Sequence, residues 1–159
     1  MMAKRLLPPA ALLSALLLTA PGQAGVPTNV TIELSFGNSA VFLTGCEALG
    51  SENEVIEQEV MTPQGPVIRK LPGRMKWLDV RCHRGLTNSM TLAAWRKQVE
   101  DGNVAAARTS VTMVYFDSTF SPFAEWTLAN AWPSRLSVES DGAAVERLTL
   151  VHEGMQRVR

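Results

Sequence analysis

Apolar and polar residues alternate one by one from Val30 to Phe36, with Val30, Ile32, Leu34 and Phe36 on one parity and Thr31, Glu33 and Ser35 on the other. A period of two fits a strand with one buried face and cannot be laid along one side of a helix. The pattern returns from Trp77 to Arg84, where Leu78, Val80 and Cys82 share one face and Trp77, Asp79, Arg81 and His83 the other. Further extended segments are predicted at Val41 to Leu43, Glu54 to Val60, Thr109 to Phe116, Ala124 to Trp132 and Ala144 to Glu153. Turn chemistry separates several of them, at Gly37-Asn38-Ser39, Asp117-Ser118 and Ser140-Asp141-Gly142. Met61 to Met75 contains Pro63, Gly65, Pro66, Pro72 and Gly73 and is expected to be a long loop.

One helix is expected, at about Ser89 to Asp101. Thr87 or Asn88 is placed to cap it, Leu92, Trp95 and Val99 recur at helical spacing, and Gly102 stands where a left-handed residue would stop it. The narrow apolar stripe implies that the helix lies against a sheet or barrel end, with Arg96, Lys97 and Glu100 in water or at a subunit contact. Many strands and one helix specify a mainly β fold, a small antiparallel barrel or sandwich.

The first residues have a different character. Lys4 and Arg5 precede the uncharged apolar run Ala10 to Ala20, and Gly22-Gln23-Ala24 supplies small residues for cleavage between Ala24 and Gly25. These are the three parts of a secretory signal peptide. The run is shorter than the ~20 residues that span a bilayer as a helix. The expected organisation is a leader at 1-24 and one domain at 25-159, exported to the periplasm or beyond. No second apolar span follows, so no membrane partner is expected after cleavage.

The chain has 15 Lys and Arg residues and 15 Asp and Glu residues; without Lys4 and Arg5 it keeps 13 basic against 15 acidic, a net charge of −2. Phosphate backbones are bound by a clustered excess of Lys and Arg, so readout of nucleic acid sequence is not expected. Acid is concentrated at Glu47, Glu52, Glu54, Glu57 and Glu59. The simpler expectation is a solvated strand face and loop, and the alternative is a patch that meets the basic Arg69, Lys70 and Arg74 of a neighbouring subunit.

Cys46 and Cys82 are the only cysteines. Cys82 shares the apolar parity of Leu78 and Val80, so two buried thiols acting as small hydrophobes are the first expectation. A disulfide between them is the alternative in an exported chain. Two Cys and two His at these separations match no common zinc spacing. His83 and His152 are the candidates for a base near neutral pH, yet no nucleophile elbow or zinc-protease motif accompanies them. No glycine-rich segment has phosphate-cradle spacing, so neither catalysis nor a cofactor is expected. Trp77, Trp95, Trp126 and Trp132 all fall on predicted elements, which favours packing over a ligand-binding aromatic surface.

Six segments in order carry a resemblance: Arg69-Lys70-Leu71-Pro72-Gly73-Arg74, Lys76-Trp77, Arg84-Gly85-Leu86-Thr87, Trp95, Asn130-Ala131-Trp132-Pro133, and Leu148 through His152-Glu153-Gly154. In type, order and spacing they resemble the tail-tube protein family of contractile-tail bacteriophages. The match runs from about Val67 to Val158 and more faintly back to Val30. The resemblance implies a barrel related to the haemolysin-coregulated protein of type VI secretion, built into hexameric rings with a central channel. It implies a structural, self-assembling protein without catalysis or cofactor, whose partners are copies of itself and sheath or baseplate-like proteins.

In that setting the segment around Arg69, Lys70, Pro72 and Arg74 is expected to reach an adjacent subunit or ring, ordered by the proline and fastened by the basic side chains. The leader departs from the family, which assembles in the cytosol into a virion or injection tube. A domesticated relative working outside the cytosol is the favoured account; an unusual leader on a genuine tube protein and a misassigned start are the others. The rival function is an exported monomeric binding module that has kept the barrel and lost ring stacking.

Overall fold

The computed structural model describes residues 30–159. The leader and its cleavage site at Ala24 and Gly25 lie outside the described residues. Ten strands and two helices follow in the order β1 (Thr31–Phe36), β2 (Ser39–Leu43), β3 (Gly45–Glu47), β4 (Ser51–Thr62), β5 (Gly65–Trp77), β6 (Val80–Gly85), α1 (Thr91–Glu100), α2 (Val104–Ala107), β7 (Thr109–Phe116), β8 (Pro122–Asp141), β9 (Ala143–Val151) and β10 (Gly154–Arg157). All the strand pairs are antiparallel. Eight strands form one sheet in the order β2-β1-β7-β8-β9-β6-β3, with β10 paired to β8, while β4 and β5 form a separate ribbon.

The alternation that opens the chain becomes the core. Ile32, Leu34 and Phe36 of β1 are buried, as are Val80 and Cys82 of β6, Val111 and Met113 of β7, and Leu148 and Leu150 of β9. Each large side chain so buried contributes about 1.5–3 kcal/mol relative to exposure. Strand β8 is longer than the expected Ala124 to Trp132 because it belongs to both halves of the sheet. Its first half pairs with β7 and its second, from Trp132, with β9. The change of partner occurs at Asn130, which has φ 51, and at a register shift between Pro133 and Arg135. Proline lacks the N–H that a regular ladder needs, so it fits at this break. The sheet curls until the Thr44 N–H, just after β2, donates to the His83 carbonyl of β6 at 2.9 Å, which gives the barrel character.

Helix α1 starts two residues later than expected, and neither Thr87 nor Asn88 caps it; Met90 holds the cap position without a side-chain bond. Leu92 and Trp95 are buried, and the Trp95 ring stacks on Phe36 with centroids 4.0 Å apart. The Trp95 Nε1–H donates to the Ala107 carbonyl at 2.8 Å, tying α1 to the unforeseen short helix α2. Gly102 has φ +80, the left-handed stop that its position implied. Arg96 does not stay in water: its guanidinium donates to the Pro133 carbonyl at 3.0 Å and fastens the helix to the bend of β8.

Tyr115, the one tyrosine of the chain, is half-buried beside Phe123, and its hydroxyl has no partner among the described residues. Burial disfavours the phenolate and pushes the group from 10.0 up to about 12. The folded state therefore holds this proton more tightly than the unfolded chain. Stability linked to it is intact below pH 10 and is lost as pH rises from there through about 12. Ultraviolet titration of phenolate absorbance is expected to show a midpoint near 12 in the folded protein and an ordinary one in denaturant; equal midpoints would contradict the burial argument.

Candidate assembly surface

The segment expected as a loop from Met61 to Met75 is not one. Strands β4 and β5 continue through it as a two-stranded arm, joined by a tight turn at Pro63 and Gln64. The Thr62 hydroxyl donates to the Gly65 carbonyl at 2.7 Å and accepts from the Gln64 N–H at 3.3 Å, and Gly65 takes φ 115. The prolines are tolerated because in a two-stranded ribbon both strands are edges, where half of the N–H groups have no ladder partner. Pro72, opposite Val55, also lies beside the register shift between Asn53 and Val55. Arg69, Lys70, Pro72 and Arg74 are therefore all on β5, and all are exposed.

The ribbon is long, polar in part and apolar in part. Glu57 stands opposite Lys70 with the ion pair at 3.7 Å, and Glu52 opposite Lys76 at 2.7 Å. Donating to the Glu52 carboxylate holds the pKa of the Lys76 ammonium above its ordinary value. Part of the acid thus meets base within its own hairpin, as solvent-exposed pairs that water and salt screen. Arg69 and Arg74 have no ion-pair partner among the described residues. Opposed residues share a face, so Ile56 with Leu71 and Val60 with Val67 place two apolar pairs on one side, flanking the polar pair Gln58 and Arg69. Ile56 is 52% exposed and Ile68, on the other side, 66%. Large apolar side chains so exposed on a ribbon that pairs with no other strand among the described residues mark a contact surface.

The root of the arm is cross-linked. Cys46 of β3 lies directly opposite Cys82 of β6 with Cα atoms 4.0 Å apart, and their sulfurs are joined at 2.04 Å. The register places the two cysteines as a disulfide rather than as separate thiols, because β6 returns beside β3 after the arm. The span between the two cysteines contains the whole ribbon. Between disulfide and ribbon, the Leu78 N–H donates to the Gly50 carbonyl at 3.1 Å.

The histidines occupy structural positions. His152 is buried, with Nδ1 3.0 Å from the Gly154 carbonyl and Nε2 3.2 Å from the Leu78 carbonyl. His83 is exposed, its ring lying where a Cβ on Gly45 would stand, 2.6 Å from Cε1. Among the described residues no group of three or more His, Cys, Asp or Glu is placed to hold a metal ion. No helix among them is long and apolar enough to cross a membrane. Besides Trp95 in the core, Trp126 carries the Arg157 guanidinium 5.8 Å above its ring and Trp77 lies 5.8 Å from the His152 ring.

One pair was not foreseen. Arg84 and Glu146, opposed across β6 and β9, are both buried and bonded at 2.7 Å. The signal was present in the alternation: Arg84 has the parity of Val80 and Cys82, and Glu146 that of Leu148 and Leu150.

Comparison with known proteins agrees with the architecture. The model of the T4-like virus tail tube protein gp19 family matches residues 28–156. Comparison with curated protein sequences finds no match. Among solved structures, the chain is similar to one from the PVC sheath-tube complex of an extracellular contractile injection system, with 18% identity, a TM-score of 0.66, and 85% of this chain and 92% of that one covered. It is similar to a chain of the anti-feeding prophage baseplate, with 16% identity, a TM-score of 0.67, and coverage of 87% and 97%. It is also similar to Hcp1 from Flavobacterium johnsoniae, with 10% identity, a TM-score of 0.53, and coverage of 80% and 94%. At these identities the structural likeness establishes the fold, and the family match spans nearly all the described residues. The chain belongs to the T4-like virus tail tube protein family, structural proteins without enzymatic activity.

Proposed function

We propose that this chain is the repeating subunit of a hollow tube, assembled as stacked hexameric rings. The observation that carries this reading is the arm, a ribbon of two matched strands with exposed apolar side chains and unpaired edges. A monomer gains nothing from such an element, whereas a copy of itself can complete it. Arg69, Lys70 and Arg74 fasten the arm to a neighbour, and Pro72 stiffens it. Negative-stain microscopy of the purified protein is expected to show rings or tubes. Particles of monomer mass at high concentration, across salt and pH, would instead support the exported binding module. Arg74→Glu is expected to weaken assembly with unchanged circular dichroism, because Arg74 is exposed and has no ion-pair partner among the described residues.

Sheath and baseplate-like proteins are the further partners in this reading, supported by relatives found in a sheath-tube complex and in a baseplate. The compartment belongs to the proposal too. A leader cleaved between Ala24 and Gly25 places the domain outside the cytosol, and the Cys46–Cys82 disulfide supports this, since such bonds persist in oxidising compartments. Mass spectrometry of cell fractions is expected to find a mature chain beginning at Gly25; an intact leader on the assembled protein would overturn the export reading.

A further inference from the structure

The charges of the arm are segregated by strand. Strand β4 carries Glu52, Glu54, Glu57 and Glu59 and no basic residue, whereas β5 carries Arg69, Lys70, Arg74 and Lys76 and no acidic one. Each strand has one edge bonded to the other and one edge bonded to no strand among the described residues. The arm thus presents an acidic border on one side and a basic border on the other, each up to ~40 Å long at the usual rise of a strand.

We propose that in the assembled protein the arms of neighbouring copies pair side by side, β5 of one against β4 of the next. This rests on the ring reading above and specifies the contact. Three observations select it. Pairing like edges, β4 with β4 or β5 with β5, sets like charges opposite one another, which destabilises a sheet. Pairing unlike edges puts Glu54, Glu57 and Glu59 beside Arg69, Lys70 and Arg74, as the hairpin already does for Glu57 and Lys70.

Strand direction agrees as well. Copies related by rotation, with arms projecting along the ring axis, all point their arms the same way. The ascending strand of one arm then lies beside the descending strand of the next, and the antiparallel pattern of the hairpin continues without interruption. Finally, an unlike-edge contact is head-to-tail and closes a ring or extends a filament, whereas a like-edge contact would stop at a two-fold dimer.

Charge reversal on the full chain tests this, because every altered side chain is exposed. Glu54→Lys/Glu57→Lys/Glu59→Lys makes both borders basic and is expected to abolish rings. Adding Arg69→Glu/Lys70→Glu/Arg74→Glu to it restores complementarity inside the hairpin and between arms, and is expected to return assembly to the wild-type level. When this sixfold variant is mixed with wild-type protein, unlike copies present like charges to each other. Native mass spectrometry is therefore expected to show rings of one kind or the other, with mixed rings depleted at least tenfold. Random co-assembly, or rings from the threefold variant alone, would overturn the arm pairing while leaving the ring reading intact. Failure of the sixfold variant to assemble when wild type does would also overturn the pairing. Failure of the wild-type protein itself to assemble would remove both.

Discussion

Arg84→Met is expected to destabilise the domain by about 3–5 kcal/mol, the usual cost of leaving one member of a buried ion pair uncompensated. Glu146 is 6% exposed and its carboxylate receives the Arg84 Nε–H at 2.7 Å, so truncating Arg84 strands a charge inside the sheet. The pair is not optimised for stability. Arg84 Nη2 is buried without an acceptor among the described residues, and an unsatisfied donor of this kind costs ~1–3 kcal/mol. Arg84→Met/Glu146→Leu is therefore expected to equal or exceed the wild type, since well-packed apolar side chains often replace a buried pair without loss. Urea unfolding followed by circular dichroism measures both variants. A single variant within ~1 kcal/mol of wild type would show that the pair is hydrated in solution.

Removing the disulfide is the second large effect. Cys46 and Cys82 are 36 positions apart, and the chain-entropy relation gives ~4 kcal/mol for closing a loop of that size. Cys46→Ala/Cys82→Ala, or wild-type protein in excess dithiothreitol, is expected to melt on the order of 10–15 °C lower than the oxidised protein. Superimposable melts with and without reductant would contradict the loop-closure argument. The position of the bond gives the effect a structural meaning. It closes β3 onto β6 at the place where the chain departs into and returns from the arm, so the root of the ribbon is held to the sheet even though β4 and β5 pair with no other strand among the described residues.

The strands of the body were legible because their signal is local. Alternation at Ile32, Leu34 and Phe36 can bury one face only in an extended conformation, and the core contains those residues. The segment Thr109 to Phe116 coincides with β7 for the same reason. The arm is not legible locally, because proline and glycine signal a break unless edge position is known. Pro66 and Pro72 break a central strand, but a ribbon of two edges accommodates them. The extension of β8 past Pro133 is hidden likewise, since only the pairing with β9 makes Trp132 to Asp141 a strand. Thr87 and Asn88 have capping side chains and so suggest an earlier helix start, yet neither caps α1, which begins at Thr91.

By itself, the order of residues determined the class of fold, the position of one helix and its stop at Gly102, the buried parity of β1 and β6, and a family resemblance that the match over residues 28–156 then established. These depend on contacts between near neighbours in sequence, or on motifs read one segment at a time. Which strands are edges, that Cys46 faces Cys82, that Arg84 meets Glu146, and that the basic residues Arg69, Lys70 and Arg74 border a free ribbon were decided only by the tertiary structure. Each of these is a matter of register between distant strands, and register follows from how the whole sheet closes on its core.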